Sequence, residues 1–398
     1  MKKSKWLSLA AMLLALTMLA AACGGGDEPN TDAGDDTGDS GEPCQWTIGT
    51  MGALTGDAAT VGGPILKGVE YGVKTVNDSG DIPCELVLDK QDSQGDPSQA
   101  PPLAQTLAQT EDLVAVVGPY FSGETDAVGD TFEEANIPFF SPSATNPDLS
   151  GNGWTGFFRL VGTDAQQGEE AARYLTEVAG FQSIAIIHDN SEYGKPLADA
   201  VEASLGDAAV ANIPLNPEET DHSAVLSKAA NANPDAVFFG GYQPEFSEVI
   251  KQGSDASLDV VYTSGDGSKA TELAADASSA GAVVFCPCDD PAVSTNPDAN
   301  AFAEAFEADA GEAPGTYAVE AYDGVQMVAH AIQELGFDGD TDIAEIREGV
   351  RNYYHENAYE GLSKNFEFDD SGEIGTVSIY AYEVEGDGFA QLGLVSEL

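Results

Sequence analysis

From residue 45 onward the chain repeats one unit: a short unbroken apolar run, a polar loop, then a segment with helical periodicity. Ile48-Gly49-Thr50-Met51 runs into GALTGDAATVGGP and then into a stretch whose Ile65, Val69, Val73 and Val76 share one helical face. Residues 113–117 lead into GPYFSGE and residues 137–140 into SPSATNPDLS. Further on, residues 184–187 lead into HDNSEYGKP, 236–239 into GGYQPE and 260–262 into TSGDGSK. Apolar runs without alternation are strands covered on both faces, so this pattern dictates parallel sheets between layers of helices. In such sheets every loop that follows a strand emerges at one edge, where ligands of open α/β folds bind.

A length of 398 residues leaves room for two such sheets. Units before about residue 162 form one and units after it the other, with FFRLVGTDAQQGEEAARYL crossing between them. Residues 281–288 read as a return crossing, followed by residues 301–306 and a helix carrying Ala321, Val325, Val328, Ile332 and Leu335. The expected fold is α/β, with two doubly wound parallel-sheet lobes that hinge about a cleft. Residues 44–162 plus 289–360 would make lobe 1, and 163–288 plus 361–398 lobe 2.

The first residues carry an export pattern: basic Lys2, Lys3 and Lys5, an apolar run over residues 7–20, and Ala21-Ala22-Cys23. The run is shorter than the ~20 residues of a spanning helix. A Cys directly after small residues resembles the lipobox of bacterial lipoproteins. That resemblance implies removal of residues 1–22 and a diacylglyceryl anchor on Cys23, holding the protein at the outer face of the cytoplasmic membrane; a plain secretory signal is the alternative. Residues 23–43 hold mostly Gly, acidic and small polar residues without apolar periodicity, the composition of a disordered tether.

Four further cysteines remain. Cys44 precedes the apolar stretch at residues 46–51 and Cys84 opens Glu85-Leu86-Val87-Leu88, so on neighbouring parallel strands a bridge between them is sterically reasonable. Cys286-Pro287-Cys288 leaves a strained disulfide, free thiols and a metal half-site all open; without a second pair, structural zinc is not expected.

With 68 acidic against 15 basic residues the formal net charge is -53, which argues against nucleic acid or an anionic membrane surface as partner and points to a saline or alkaline habitat. Catalytic signals are weak. Ser122, His188 and Asp266 make a triad only on paper, since GPYFSG lacks the nucleophile-elbow spacing. His188, His222, His330 and His355 show no ligand spacing, and SGDGSKA lacks the order of a phosphate loop. No enzyme, metal or cofactor is therefore expected. Binding groups are better placed: the hydroxyls of Ser122 and Thr145 at strand ends suit a carboxylate, Asp266 suits an ammonium, and Tyr193 and Tyr242 can close over a small ligand.

Leu54-Thr55-Gly56, Ser141-Pro142 with Ala144-Thr145-Asn146-Pro147, residues 184–189 with Tyr193-Gly194, and Gly240-Gly241-Tyr242 with Pro244-Glu245 resemble one family along nearly the whole mature length. That family is the periplasmic binding proteins for branched-chain amino acids, of the leucine/isoleucine/valine type, which serve ABC importers. The resemblance implies a type I binding-protein fold with three crossing strands, closing as a monomer around one amino acid. It implies that Ser122 and Thr145 hold the ligand carboxylate through side chain and backbone, with Ala144 in the same loop. The Ser143 carbonyl and Asp266 would hold the ammonium, and Tyr193 and Tyr242 would contribute from the second lobe. Val61, Tyr120 and Phe121 would line the side-chain pocket. Asp266 stands where the family pattern has the longer Glu, and Tyr120 and Phe121 are bulkier than its usual pocket residues.

The expected function is capture of an amino acid, branched-chain or otherwise aliphatic, for a membrane permease and its cytoplasmic ATPase; a receptor-coupled sensor and an amidase-like hydrolase are the alternatives. If Cys23 carries the anchor, Cys23→Ser should move the protein from the membrane fraction to the supernatant and abolish incorporation of labelled fatty acid; unchanged fractionation would rule the anchor out.

Overall fold

A computed structural model describes residues 44–398 other than Ser257 and Thr376; the expected signal peptide, Cys23 and the acidic tether lie outside the described residues. The apolar runs become strands, and the strands sort into two sheets. The first half supplies β1 (Gln45–Gly52), α1 (Ala59–Ser79), β2 (Glu85–Asp92), α2 (Ala100–Ala108), β3 (Leu113–Val117), α3 (Ser122–Glu134), β4 (Phe139–Ser141) and β5 (Phe157–Arg159). These strands pair in the order β2-β1-β3-β4-β5, all parallel.

The chain then builds α4 (Asp164–Arg173), β6 (Ile184–His188), α5 (Gly194–Leu205), β7 (Ala209–Pro214), α6 (Ser223–Asn231), β8 (Ala236–Gly240), α7 (Gln243–Asp255), β9 (Val261–Ser264), α8 (Thr271–Ala275) and β10 (Val283–Cys286). Three helices follow, α9 (Pro297–Ala310), α10 (Ala318–Leu335) and α11 (Ile343–Glu356), then the small hairpin β11 (Tyr359–Glu360) and β12 (Asn365–Phe366), and last β13 (Tyr380–Glu385) and β14 (Gly388–Leu394). The second sheet runs β14-β13-β10-β9-β8-β6-β7, parallel from β10 to β7 and antiparallel across β10, β13 and β14.

The late helices return to the first sheet. On α1, a Cβ at Gly68 would sit 2.1 Å from the Ala318 carbonyl oxygen, so only glycine lets α10 approach this closely. Arg347 on α11 donates its Nε to the Leu113 carbonyl at 2.6 Å, tying that helix to the start of β3.

The third crossing, which brings the chain back to the second sheet, comes later than residue 361. Phe366 and Phe368 stack at 6.1 Å, and Phe368 meets Phe158 of β5 edge-on at 5.0 Å. Burying these rings holds residues 365–374 on the first sheet's side, and the chain pairs with the second sheet again only at Tyr380.

Cys44 and Cys84 are joined by a disulfide at the start of the β1–β2 pair, where Gln45 faces Glu85. Cys286 and Cys288 are bonded to each other, and no cluster able to hold a metal occurs among the described residues. Nor is any described helix long and apolar enough to cross a membrane.

One cation organises the region between the lobes. Arg159, the last residue of β5, is fully buried. Its Nη1 donates to the carbonyls of Ala144 at 2.8 Å and Asn146 at 2.7 Å, while Nε and Nη2 grip the Glu373 carboxylate at 2.5 to 3.1 Å. Removing one partner of such a pair leaves a bare buried charge, which costs more than the pair contributed. Glu373→Ala should therefore lower the unfolding free energy by about 3 kcal/mol, read as a shift of the urea midpoint at constant m-value.

Candidate functional site

The loops at the C-terminal ends of the strands interlock before they line anything. After β4, Ser141 Oγ donates to the Pro119 carbonyl at 2.7 Å and accepts the Ala144 N–H at 3.1 Å, and Ser143 Oγ donates to the Tyr120 carbonyl at 2.6 Å. Ser122 opens α3, and its Oγ accepts the Asn146 N–H at 3.2 Å. The Asn146 amide donates to the Glu192 carbonyl at 2.7 Å, which links this wall to the loop after β6. The two polar loops are thus held in one conformation by their own hydroxyls and carbonyls.

From the second sheet come Tyr193 after β6, Tyr242 after β8 and Asp266 after β9. Asp266 accepts from Gln167 Nε2 at 2.6 Å and from the Tyr193 hydroxyl at 3.0 Å, and the same hydroxyl accepts the Gly267 N–H at 3.0 Å. A side chain at Gly265 would fall 2.4 Å from Gln167 Oε1 and 2.8 Å from the Tyr193 hydroxyl, so glycine is required for this convergence.

Together these loops converge on one small cavity, of about 10 Å³, scarcely more than a single water would fill. Val61, Tyr120, Phe121, Ser122 and Ser143 line the cavity from the first sheet, and Tyr193, Tyr242 and Asp266 from the second, all eight expected from the sequence. Phe121 meets Tyr242 edge-on at 5.2 Å and Tyr242 lies 5.0 Å from Tyr193, so aromatic rings close the cleft. A larger, open groove beside Leu258, Tyr262 and Ala282 lies at the opposite edge of the second sheet, away from these polar loops.

The remaining two expected residues stand behind the wall. Thr145 is fully buried, and its Oγ1 has no aligned hydrogen-bond partner among the described residues. Ala144 uses its backbone within the lobe: its N–H is spent on Ser141 Oγ, and its carbonyl accepts from Arg159. The triad drawn on paper is not assembled: Ser122 Oγ engages Asn146, and His188 Nδ1 accepts the Asn190 N–H at 3.1 Å.

Three residues were not anticipated. Tyr317 lines the cavity from the N-cap of α10 in a left-handed conformation (φ 64°), its hydroxyl near Asp266 without an aligned bond. Nothing in the local sequence announces that geometry. Gln167 and Asp164 lie in TDAQQG, whose Thr163 and Gln166 form a capping box that starts α4 at the crossing. That start signal was readable in the sequence and placed both side chains in the first turns of the helix.

The electrostatics are one-sided. Burial pushes the Asp266 carboxyl above its usual range, opposed by hydrogen bonds from Gln167 and Tyr193 and by the nearby Tyr317 hydroxyl. Burial raises Asp164 well above its usual range, and the nearby Asp266 charge adds to it. Neither carboxyl forms an ion pair among the described residues: the nine ion pairs there leave both out.

A periplasmic binding protein family model matches residues 45–388. The Leu/Ile/Val-binding protein BraC3 of Rhizobium johnstonii is 36% identical over 203 residues, which cover 50% of this chain and 55% of that protein, so the chain matches only about half of that relative's length. The leucine-, isoleucine-, valine-, threonine- and alanine-binding protein of Pseudomonas aeruginosa is 28% identical over 346 residues, 85% of this chain and 90% of that one. Among solved structures, the branched-chain amino acid transporter substrate-binding protein LivJ of Streptococcus pneumoniae, in complex with isoleucine, superposes with a TM-score of 0.77 at 25% identity, covering 87% of this chain and 99% of its own. A solute-binding protein of R. palustris in complex with benzoate superposes with 0.78 at 20% identity, covering 88% and 96%.

The raised Asp266 pKa sets the sign of a stability effect. A carboxyl that holds its proton more tightly when folded contributes stability below the unfolded value, lost as pH rises through the folded one. Asp266→Asn should accordingly melt above the parent at neutral pH, with the gap closing near pH 4, as followed by calorimetric melting across that range.

Proposed function

Because this chain belongs to the periplasmic binding protein family, we propose that it captures an α-amino acid between its two lobes, outside the cytoplasmic membrane, and delivers it to an ABC importer. The observation that carries this reading is the polarity of the cleft. The Ser122 hydroxyl lines the first wall with the unpartnered Thr145 hydroxyl buried behind it, while the second presents Asp266, a buried carboxyl without a cationic partner among the described residues. A zwitterion completes both ends: its carboxylate takes donors from Ser122 and Thr145, and its ammonium takes Asp266 and the Ser143 carbonyl.

The space beside these groups selects the side chain. The Tyr120 hydroxyl is committed to Thr50 at 2.6 Å, so Tyr120 offers its ring, and Val61, Phe121 and Tyr242 add apolar surface. A small aliphatic side chain suits this lining once the lobes part to admit it, which agrees with relatives named for leucine, isoleucine and valine. Ligand contacts to both lobes favour the closed arrangement, and the closed arrangement is the form a permease with its ATPase would recognise. A lipid on Cys23 would keep the protein, as a monomer, beside that permease.

A thermal-shift screen tests the reading: leucine, isoleucine or valine should raise the melting temperature, since a ligand bound only by the folded state stabilises it. Thr145→Ala and Asp266→Ala each remove a hydrogen bond to a charged group and should weaken binding by roughly 10- to 100-fold. Unchanged affinity in both variants by titration calorimetry would defeat the site assignment.

A further inference from the structure

We propose that Asp164 is a positioning residue for carboxylate recognition: as a neutral acid it donates its proton to Thr145 Oγ1, which turns the Thr145 hydroxyl hydrogen toward the ligand. The proposal rests on the reading above that Thr145 grips the ligand carboxylate.

The geometry brings the two groups together from different elements. Asp164 opens α4 directly after the first crossing, and its backbone N–H donates to the Thr145 carbonyl at 2.9 Å. Both side chains are fully buried. Thr145 Oγ1 and both carboxyl oxygens of Asp164 lack an aligned partner, yet they lie near enough that the hydroxyl opposes the rise of the carboxyl's pKa.

Proton counting decides its direction. A hydroxyl has one hydrogen and two lone pairs, and an ionised carboxyl only accepts. Were Asp164 ionised, the Thr145 hydrogen would turn to it, and the hydroxyl would present lone pairs to an incoming carboxylate. With Asp164 neutral, its own O–H satisfies Thr145 Oγ1 and the Thr145 hydrogen is free to point into the cleft.

The surroundings keep the proton on Asp164. Burial acts first and the Asp266 charge second. Arg159 is the cation that opposes them, but its guanidinium is already engaged by Glu373 and two carbonyls. From the second lobe Tyr193 and Tyr242 face the same carboxyl, and burial raises both phenols well above their ordinary range, so they remain uncharged at neutral pH.

The complex therefore prefers protonated Asp164, binding takes up a proton where the free protein has lost it, and affinity falls as pH rises through that range. Asp164→Asn replaces the O–H donor with an amide N–H and removes the titration. Titration of the full mature chain with leucine, isoleucine and valine from pH 6 to 9 should show an alkaline loss of affinity in the parent and a flat profile in Asp164→Asn, at near-parental affinity at pH 6. Asp164→Ala should bind about tenfold more weakly. Adding Thr145→Ala to it should cost nothing beyond Thr145→Ala alone. An alkaline limb that persists in Asp164→Asn, or additive losses in the double variant, overturns the proposal while leaving amino-acid binding in place. Absence of binding by the parent chain overturns the reading beneath it as well.

Discussion

The cleft depends on one buried guanidinium. Arg159 holds the carbonyls of Ala144 and Asn146 from below, and those two residues flank Thr145 on the wall. The same side chain anchors Glu373, which belongs to the segment that precedes the third crossing. Burying an arginine is costly unless its donors are satisfied, and here Nε, Nη1 and Nη2 all find acceptors. The wall and the approach to the hinge are therefore set by one network.

The acids of the cleft reverse this economy. Asp266 is supported by a glutamine and a tyrosine, Asp164 by no aligned bond at all, and neither by a cation. A core optimised for stability alone would not keep two carboxyls in this state, because buried polar groups cost free energy unless they are paired. Their arrangement makes sense as preorganisation: the loops are locked by Ser141, Ser143 and Asn146 before binding, so little ordering remains when charge arrives. On the proposed reading, stability withheld from the free protein would be returned by the ligand.

What was legible in the sequence follows the range of the interaction. The unbroken apolar runs specified the strands, and the parallel order placed Ser122, Ser143, Tyr193, Tyr242 and Asp266 at one edge. Those inferences need only local periodicity and a topological rule. Tyr317 enters the cavity through a left-handed N-cap on a helix that returns from the far end of the chain, and no local pattern encodes that return. Arg159 carries no local signal, because its role exists only once Glu373, 214 positions later, folds against it. The lobe boundary near residue 361 missed for the same reason: Phe366 and Phe368 are placed by Phe158, not by their neighbours in sequence. Ala144 carried the loop's motif, but its backbone was already committed to Ser141 and Arg159.

Cations are scarce in this chain, 15 against 68 acids, and where they are used bears on specificity. Arg159 joins wall to hinge segment. Lys364 pairs with Glu320 at 2.8 Å and reaches the Leu160 carbonyl at 3.1 Å, beside the first crossing. The Lys269 ammonium lies over the Tyr382 ring at 4.2 Å, and its carbonyl accepts from Thr316 at 2.6 Å, joining the loop after β9 to the residue before Tyr317. Arg347 binds α11 to β3. These four positively charged side chains sit at joints between elements, and none of the described residues lining the cleft is a lysine or arginine. An anionic ligand entering this cleft meets neutral donors and a nearby carboxylate, so a bare carboxylate is poorly served while a zwitterion is served at both ends. On the proposed reading, the absence of lysine and arginine from the described lining means that a ligand brings its own cation to Asp266.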